Sequence, residues 1–131
     1  MPQAEADEVI ARLVERLERR ERRNTVSDTE LAERAAKLSA VYLGGKAQPV
    51  SVRWVSNQNS RWGSCTTNEK SIRLSDRLIG MPLWVVDYVL VHELAHLIEA
   101  NHGSRFWELV DAYPKAERAK GFLEGVAHRQ A

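Results

Sequence analysis

Residues 91–103 read VHELAHLIEANHG and hold three of the four histidines of this 131-residue chain. The apolar stretch LWVVDYVLV precedes them at 83–91, so the segment begins as a buried helix. In a helix, His92 and His96 lie about 40° apart in projection and therefore share one face. Imidazoles at this spacing can bind one zinc ion, and Glu93, directly after the first, can act as a base. The pattern predicts a metal-dependent hydrolytic site.

A third histidine, His102, follows the expected helix. On a continuous helix it would lie about 240° around and ~9 Å along the axis from His96, too far to share a metal with bonds of about 2.0–2.1 Å. Asn101 and Gly103 suit a break that would return His102 to the site. Glu99 is an alternative third ligand, because on an unbroken helix it shares the histidine face. We predict one zinc per chain, held by three histidines with an open fourth position.

The charge balance gives no general affinity for polyanions. Lys and Arg number 19 against 18 Asp and Glu, a formal net charge of +1. The exception is a basic cluster within a predicted amphipathic helix over residues 5–23, formed by Arg19, Arg20, Arg22 and Arg23. Interleaved glutamates favour a solvated helix face there. Binding to nucleic acid is therefore not expected, and this cluster is the place for it if it occurs.

Cysteine usage and the N-terminal segment bear on the compartment. Cys65 is the single cysteine, so a disulfide framework is not expected. The N-terminal residues show no apolar signal-peptide core, and the longest apolar run is too short to cross a bilayer. A cytoplasmic protein without membrane attachment is predicted, of unknown oligomeric state. The fourth histidine, His128, fits no site.

Two periodicities divide the rest of the chain. Helices are predicted over 5–23, from a capping box at 27–30 to Gly44 and Gly45, after Pro82 through Trp84 to about Ala100, over 104–112 and over 115–124. Strands are predicted from Val50, over 61–67 and over 71–75, with a turn at 57–60. This order predicts an α+β domain with a small antiparallel-rich sheet between N-terminal and C-terminal helices. Residues 1–45 form an N-terminal helical segment and 46–131 the core of a single compact domain.

Four segments between about residues 50 and 125 carry a resemblance to a known family. They read VRWVSNQNSRWGSC, IRLSDRL, VDYVLVHELAHL and NHGSRFWELV. In combination they resemble the YgjP-type metallopeptidases, relatives of the SprT-like and WLM zincins, whereas residues 1–45 carry little of the resemblance. The histidine spacing also equals that of metzincins, but their helix-ending glycine is Glu99 here. The resemblance implies a zincin-like fold, zinc-dependent hydrolysis of peptide or protein substrates, ligands at His92, His96 and His102, and Glu93 as general base.

The resemblance also suggests a substrate-binding strand. In zincins a strand beside the cleft commonly pairs with an extended substrate, and 61–67 is the candidate here, with Gly63 leaving room for a peptide backbone. The candidate substrate-binding residues are Asn59, Arg61, Trp62 and Gly63. In the alternative interpretation, Trp62 and Cys65 are core residues of a hairpin. A further alternative makes Cys65 a fourth zinc ligand.

In the expected mechanism, zinc lowers the pKa of its bound water towards about 7 and Glu93 removes the proton. A second electrophile is expected among Arg61, Asn59 and Tyr113. Phe106 and Trp107 are expected to pack beneath the loop rather than to contact substrate.

Two other functions remain open at this point. Bacterial endoribonucleases that mature ribosomal RNA share the spacing HxxxHxxxxxH, although Glu93 directly after the first histidine favours a peptidase. A zinc-stabilised binding module without catalysis would keep the histidines and leave Glu93 without a role.

Overall fold

The computed structural model describes residues 28–56 and 61–130. In chain order its elements are α1 (Asp28–Tyr42), β1 (Ser51–Val55), β2 (Gly63–Thr66), β3 (Ser71–Ser75), a 3-10 helix (Asp76–Leu78), α2 (Leu83–His96), α3 (Ser104–Asp111) and α4 (Ala116–Gln130). Helices that precede and follow a small sheet in chain order make an α+β fold, as predicted. The predicted helix over 5–23, with its arginine cluster, and the predicted turn at 57–60 lie outside the described residues.

The sheet has three strands in the order β1-β3-β2. β2 and β3 form the predicted antiparallel hairpin, with Cys65 opposite Ile72. β1 runs parallel to β3, with Val52 beside Ile72. The sheet is therefore mixed rather than antiparallel-rich. The physical reason is the crossover: the chain passes from β1 to the far edge, forms β2 there and returns through the centre as β3.

The side chains of β3 alternate between the two faces of the sheet. Ile72 and Leu74 are both 0% exposed and belong to the hydrophobic core. Arg73, between them, projects to the opposite face. There its guanidinium donates hydrogen bonds to the hydroxyls of Ser64 at 3.1 Å and Thr66 at 2.7 Å. The sheet, with β3 at its centre, thus has one face in the hydrophobic core and one polar face.

An ion pair joins α1 to α2 where apolar side chains of the two helices pack together. Arg34 Nε donates to Asp87 Oδ1 at 2.8 Å, and the second guanidinium nitrogen donates to the other carboxylate oxygen. Asp87 is 5% exposed, which accounts for the single acidic residue inside LWVVDYVLV. After α1 the chain turns at Gly44 and Gly45, whose φ angles of 63° and 72° favour glycine. This is the predicted stop.

α2 is the central helix, and its end determines the site. It ends at His96 rather than near Ala100 as predicted, because the chain tightens after it: Leu97 N donates to Leu94 O, three residues back, at 3.0 Å. The tighter turn starts the return of the chain towards the histidines. Although α2 is strongly apolar, no helix in the described part of the chain is long and apolar enough to cross a membrane.

α4 is longer than the predicted 115–124 and includes the exposed His128. Gly121 and Gly125 lower its intrinsic helix propensity. The helix persists because Ala119 and Leu123, 0% and 5% exposed, are buried in the core. Tertiary packing supplies the stability that the local sequence lacks.

Candidate active site

The last turn of α2 and the loop after it bring three histidines together. The ring centroids of His92 and His96 lie 5.3 Å apart. The centroid of His102 lies 4.6 Å from that of His96 and 5.6 Å from that of His92. The potential ligand atoms of the three rings all lie within 4.8 Å of one another. The structure thus brings the predicted ligand residues into one group.

The loop orients one of these rings directly. His96 Nδ1 lies 3.1 Å from the carbonyl oxygen of Ala100. This contact favours the tautomer in which Nδ1–H donates to the carbonyl and Nε2 keeps the lone pair that a metal binds. The same turn that ends α2 therefore also orients the His96 ring.

Two aromatic residues of α3 pack against the histidines. Phe106 is fully buried, and its centroid lies 5.0, 4.4 and 4.8 Å from those of His92, His96 and His102. Trp107 is half-buried and lies 5.8 Å from His92 and 5.9 Å from His102. The two rings form an apolar base under the histidine group.

Burial keeps the helix-borne histidines neutral. Burial, followed by the nearby rings of His96 and His102, lowers the pKa of His92 to about 4. Burial and His102 also lower the pKa of His96. Because a metal binds the neutral imidazole, both rings are in the binding form at neutral pH.

Glu93 lies next to this group and is 6% exposed. Burial raises the pKa of its carboxyl to about 7, against the opposing charges of Arg61 and Arg73. A carboxyl that titrates near neutral pH inside a cleft has the properties of a general base.

A cleft of about 720 Å³ lies in front of these groups. The histidines and Glu93 line it from α2 and the following loop. Its two sides carry Arg61, Trp62 and Gly63 at the start of β2, and Lys120, Leu123 and Glu124 on α4. An extended ligand can therefore lie between the sheet edge and α4.

Three of the four predicted substrate-binding residues line this cleft. Arg61 is exposed just before β2, and Trp62 is half-buried, with the guanidinium carbon of Arg77 4.3 Å from its ring centroid. Gly63 begins β2. Asn59 lies outside the described residues.

The role expected of Gly63 needs correction. A Cβ atom at this position would lie 3.0 Å from Val89 Cγ1, 3.2 Å from the Arg73 carbonyl oxygen and 3.2 Å from Glu93 Cγ. The missing side chain thus lets β2 approach α2 and the stem of Glu93. The space left by the missing side chain is filled by α2 and β3, and pairing of a substrate with the outer edge of β2 stays a prediction.

Three other predicted roles meet different surroundings. Glu99 Oε2 lies 3.5 Å from Arg105 Nε and is not part of the histidine group. Cys65 lines the cleft but is not part of the histidine group, and burial raises the pKa of its thiol to about 11. Tyr113 donates a hydrogen bond to the carbonyl of Trp84 at 2.8 Å. Trp84 is at the opposite end of α2, so Tyr113 is wrong as a second electrophile.

The sequence interpretation missed Arg73 and the α4 side of the cleft. Arg73 acts on the pKa of Glu93, and Lys120 and Glu124 line the cleft. The spacing of Lys120 and Glu124 shows that they share a helix face, but no local pattern shows what that face meets.

Zinc suits this set of donors. Catalytic zinc sites combine three protein ligands with an open position, and imidazole nitrogen is a common ligand. The three imidazoles lie close enough to share one ion after small side-chain movements, and the cleft gives access to it.

Comparisons with known proteins agree with this chemistry. A family model described as YgjP-like, metallopeptidase domain, matches residues 1–125. The match extends further towards the N-terminus than the motifs in residues 50–125. The crystal structure of the metallopeptidase zymogen of Pyrococcus abyssi abylysin matches with a TM-score of 0.60 and 28% identity, covering 79% of this chain and 94% of that chain. A search of curated proteins finds no match. The chain belongs to the YgjP-like family of metallopeptidase domains.

Proposed function

We propose that this protein hydrolyses peptide bonds with one zinc ion held by His92, His96 and His102. The observation that carries the proposal is the grouping of three imidazoles whose potential ligand atoms lie within 4.8 Å of one another, with the buried carboxyl of Glu93 in the same cleft. Family membership and the similarity to a metallopeptidase zymogen support this class of reaction.

Zinc at this site would supply a Lewis acid and lower the pKa of water towards about 7. Glu93 accepts the proton of the attacking water and passes it to the leaving amine. In the metal-free chain, burial raises the pKa of its carboxyl to about 7, which makes it a stronger proton acceptor than an exposed glutamate. Burial of Glu93 limits its contact with bulk water.

The substrate is a peptide or protein segment in extended conformation. β2 is an edge strand of the described sheet, and its residues line the cleft. An extended peptide can add to such an edge through backbone hydrogen bonds. Arg61, exposed at the start of this edge, is the candidate for stabilising negative charge on the carbonyl oxygen.

The two alternative functions are less well supported. A phosphodiesterase acting on RNA gains little from a net charge of +1. A zinc-stabilised binding module gives no reason to bury a carboxyl beside the ligands, since burial of an ionised group without a close partner is unfavourable.

Zinc content is the first test. Elemental analysis of wild type should find about one zinc per chain, and His102→Ala should lose most of it. Absence of zinc from wild type after reconstitution would overturn the proposal. Unchanged zinc in His102→Ala would instead assign the third ligand to another group.

Catalysis is tested with Glu93→Gln. This variant should keep its zinc and lose hydrolysis of a peptide library read by mass spectrometry. A chromogenic phosphodiester serves as the control substrate, and cleavage of that ester but of no peptide would favour the nuclease alternative. Equal peptide cleavage by wild type and Glu93→Gln would exclude Glu93 as the base.

A further inference from the structure

The three histidines are not held equally well. His92 and His96 lie on α2 and are half-buried, whereas His102 lies in the loop between α2 and α3 and is exposed. Loop residues are more mobile than helix residues, so His102 needs support from its surroundings to be a well-placed ligand.

Besides the buried Phe106, Trp107 is placed to give this support. Its ring lies nearly parallel to that of His102, with an interplanar angle of 28° and a centroid distance of 5.9 Å. The same ring meets His92 edge-on at 5.8 Å. Trp107 therefore contacts the loop histidine and a helix histidine at once.

α4 holds Trp107 from another direction. Lys120 Nζ lies 5.3 Å from the Trp107 ring centroid, within the range of a cation–π contact. Lys120 also lines the cleft. A continuous series of contacts thus runs from α4 through Trp107 to His102.

We infer that Trp107 is a positioning residue for His102 and that Lys120 supports Trp107 from α4. The inference rests on the proposed function, because it takes His102 to be the third zinc ligand. It assigns Trp107 the orienting role that hydrogen-bonded partners usually play around metal-binding histidines.

The chain contains a matched control for this role. Trp84 also makes a cation–π contact with α4, because the guanidinium carbon of Arg118 lies 4.6 Å from its ring centroid. Trp84 packs edge-on against Phe122 at 5.7 Å, at the other end of α2 from the histidines. Loss of either tryptophan removes a comparable packing contact, but only Trp107 contacts His102.

The test is the zinc affinity of Trp107→Leu and Trp84→Leu, measured by competition with a chromogenic chelator. Trp107→Leu should bind zinc about ten- to a hundredfold more weakly than wild type, whereas Trp84→Leu should remain within about twofold. The visible spectrum of the cobalt-substituted protein should change only in Trp107→Leu. Trp107→Phe, which keeps an aromatic face, should restore most of the affinity.

Three results would overturn the inference: wild-type affinity in Trp107→Leu, equal losses in both leucine variants, or no recovery in Trp107→Phe. Failure of wild type to bind zinc would overturn the proposed function together with it, so the two failures are distinguishable.

If Trp107→Leu does not fold, Lys120→Met tests the same contacts from an exposed position. It should weaken zinc binding about two- to fivefold, and an unchanged affinity would contradict the role of Lys120.

Discussion

At the residue scale, the role of general base that we propose for Glu93 makes two demands that oppose each other. A general base must lie beside the reacting groups, and enclosure there raises the pKa of its carboxyl from 4.5 to about 7. The folded state therefore holds the proton of Glu93 more tightly than the unfolded chain does. The resulting stabilisation is complete below about pH 4.5 and is lost as the pH rises through about 7.

This titration predicts a pH-dependent difference between wild type and Glu93→Gln. Between about pH 4 and pH 8 the free energy of unfolding of metal-free Glu93→Gln should gain about 3 kcal/mol relative to that of wild type. Urea denaturation of both proteins at several pH values measures it. The histidine contributions are common to both proteins and cancel to first order. A difference that does not vary with pH would contradict the raised pKa.

A second prediction at this scale concerns Gly63. A methyl group there would lie 3.0 Å from Val89 Cγ1, so Gly63→Ala should lower the free energy of unfolding by about 1–3 kcal/mol. Gly121→Ala, where a Cβ meets nothing within 4 Å, should instead raise it by about 0.5–1 kcal/mol. Thermal and urea unfolding of both variants give the comparison. A neutral Gly63→Ala would show that β2 can move away from α2 at little cost.

At the element scale, the ion pair between α1 and α2 determines how these helices meet. Asp87 is buried and paired with Arg34, whose side chain is 33% exposed. Arg34→Met would leave a buried carboxylate without its partner. We expect a loss of about 2–3 kcal/mol, below the range for a fully buried pair because Arg34 reaches solvent.

The double variant Arg34→Met with Asp87→Leu separates pairing from packing. It should recover much of the stability lost in the single variant, because no charge is then left buried. Urea denaturation of the two single variants and the double variant completes the cycle. A double variant as unstable as the sum of the single variants would show that the pair contributes no coupling.

At the scale of the whole molecule, zinc would join α2 to the loop before α3. A metal that binds only the native state stabilises it by about 2.7 kcal/mol at a free concentration 100 times the dissociation constant. For a chain of this size the melting temperature should rise by about 10 °C. Differential scanning fluorimetry with zinc and with a chelator measures the shift. His102→Ala should show a much smaller one, and equal shifts in both proteins would place the stabilising metal elsewhere.

Local patterns in the sequence were enough to predict most helices and strands and to predict that His92 and His96 share one helix face. The positions of His92, Glu93 and His96 follow from the helical repeat, which depends only on neighbours within one turn. The need for a break before His102 follows from the same geometry. The grouping of these residues was therefore predictable, although their roles as zinc ligands and base remain predictions.

Tertiary structure decided the features that depend on distant parts of the chain. Three such features depend on residues far apart in sequence: the parallel pairing of β1 with β3, the packing of Gly63 against α2, and the position of Tyr113 away from the histidines. The position of α4 along one side of the cleft also depends on such long-range contacts. Hydrophobic periodicity shows which face of an element is buried, but not which element covers it. The sequence by itself therefore determined the chemical groups of the candidate site, whereas packing decided which other side chains surround them.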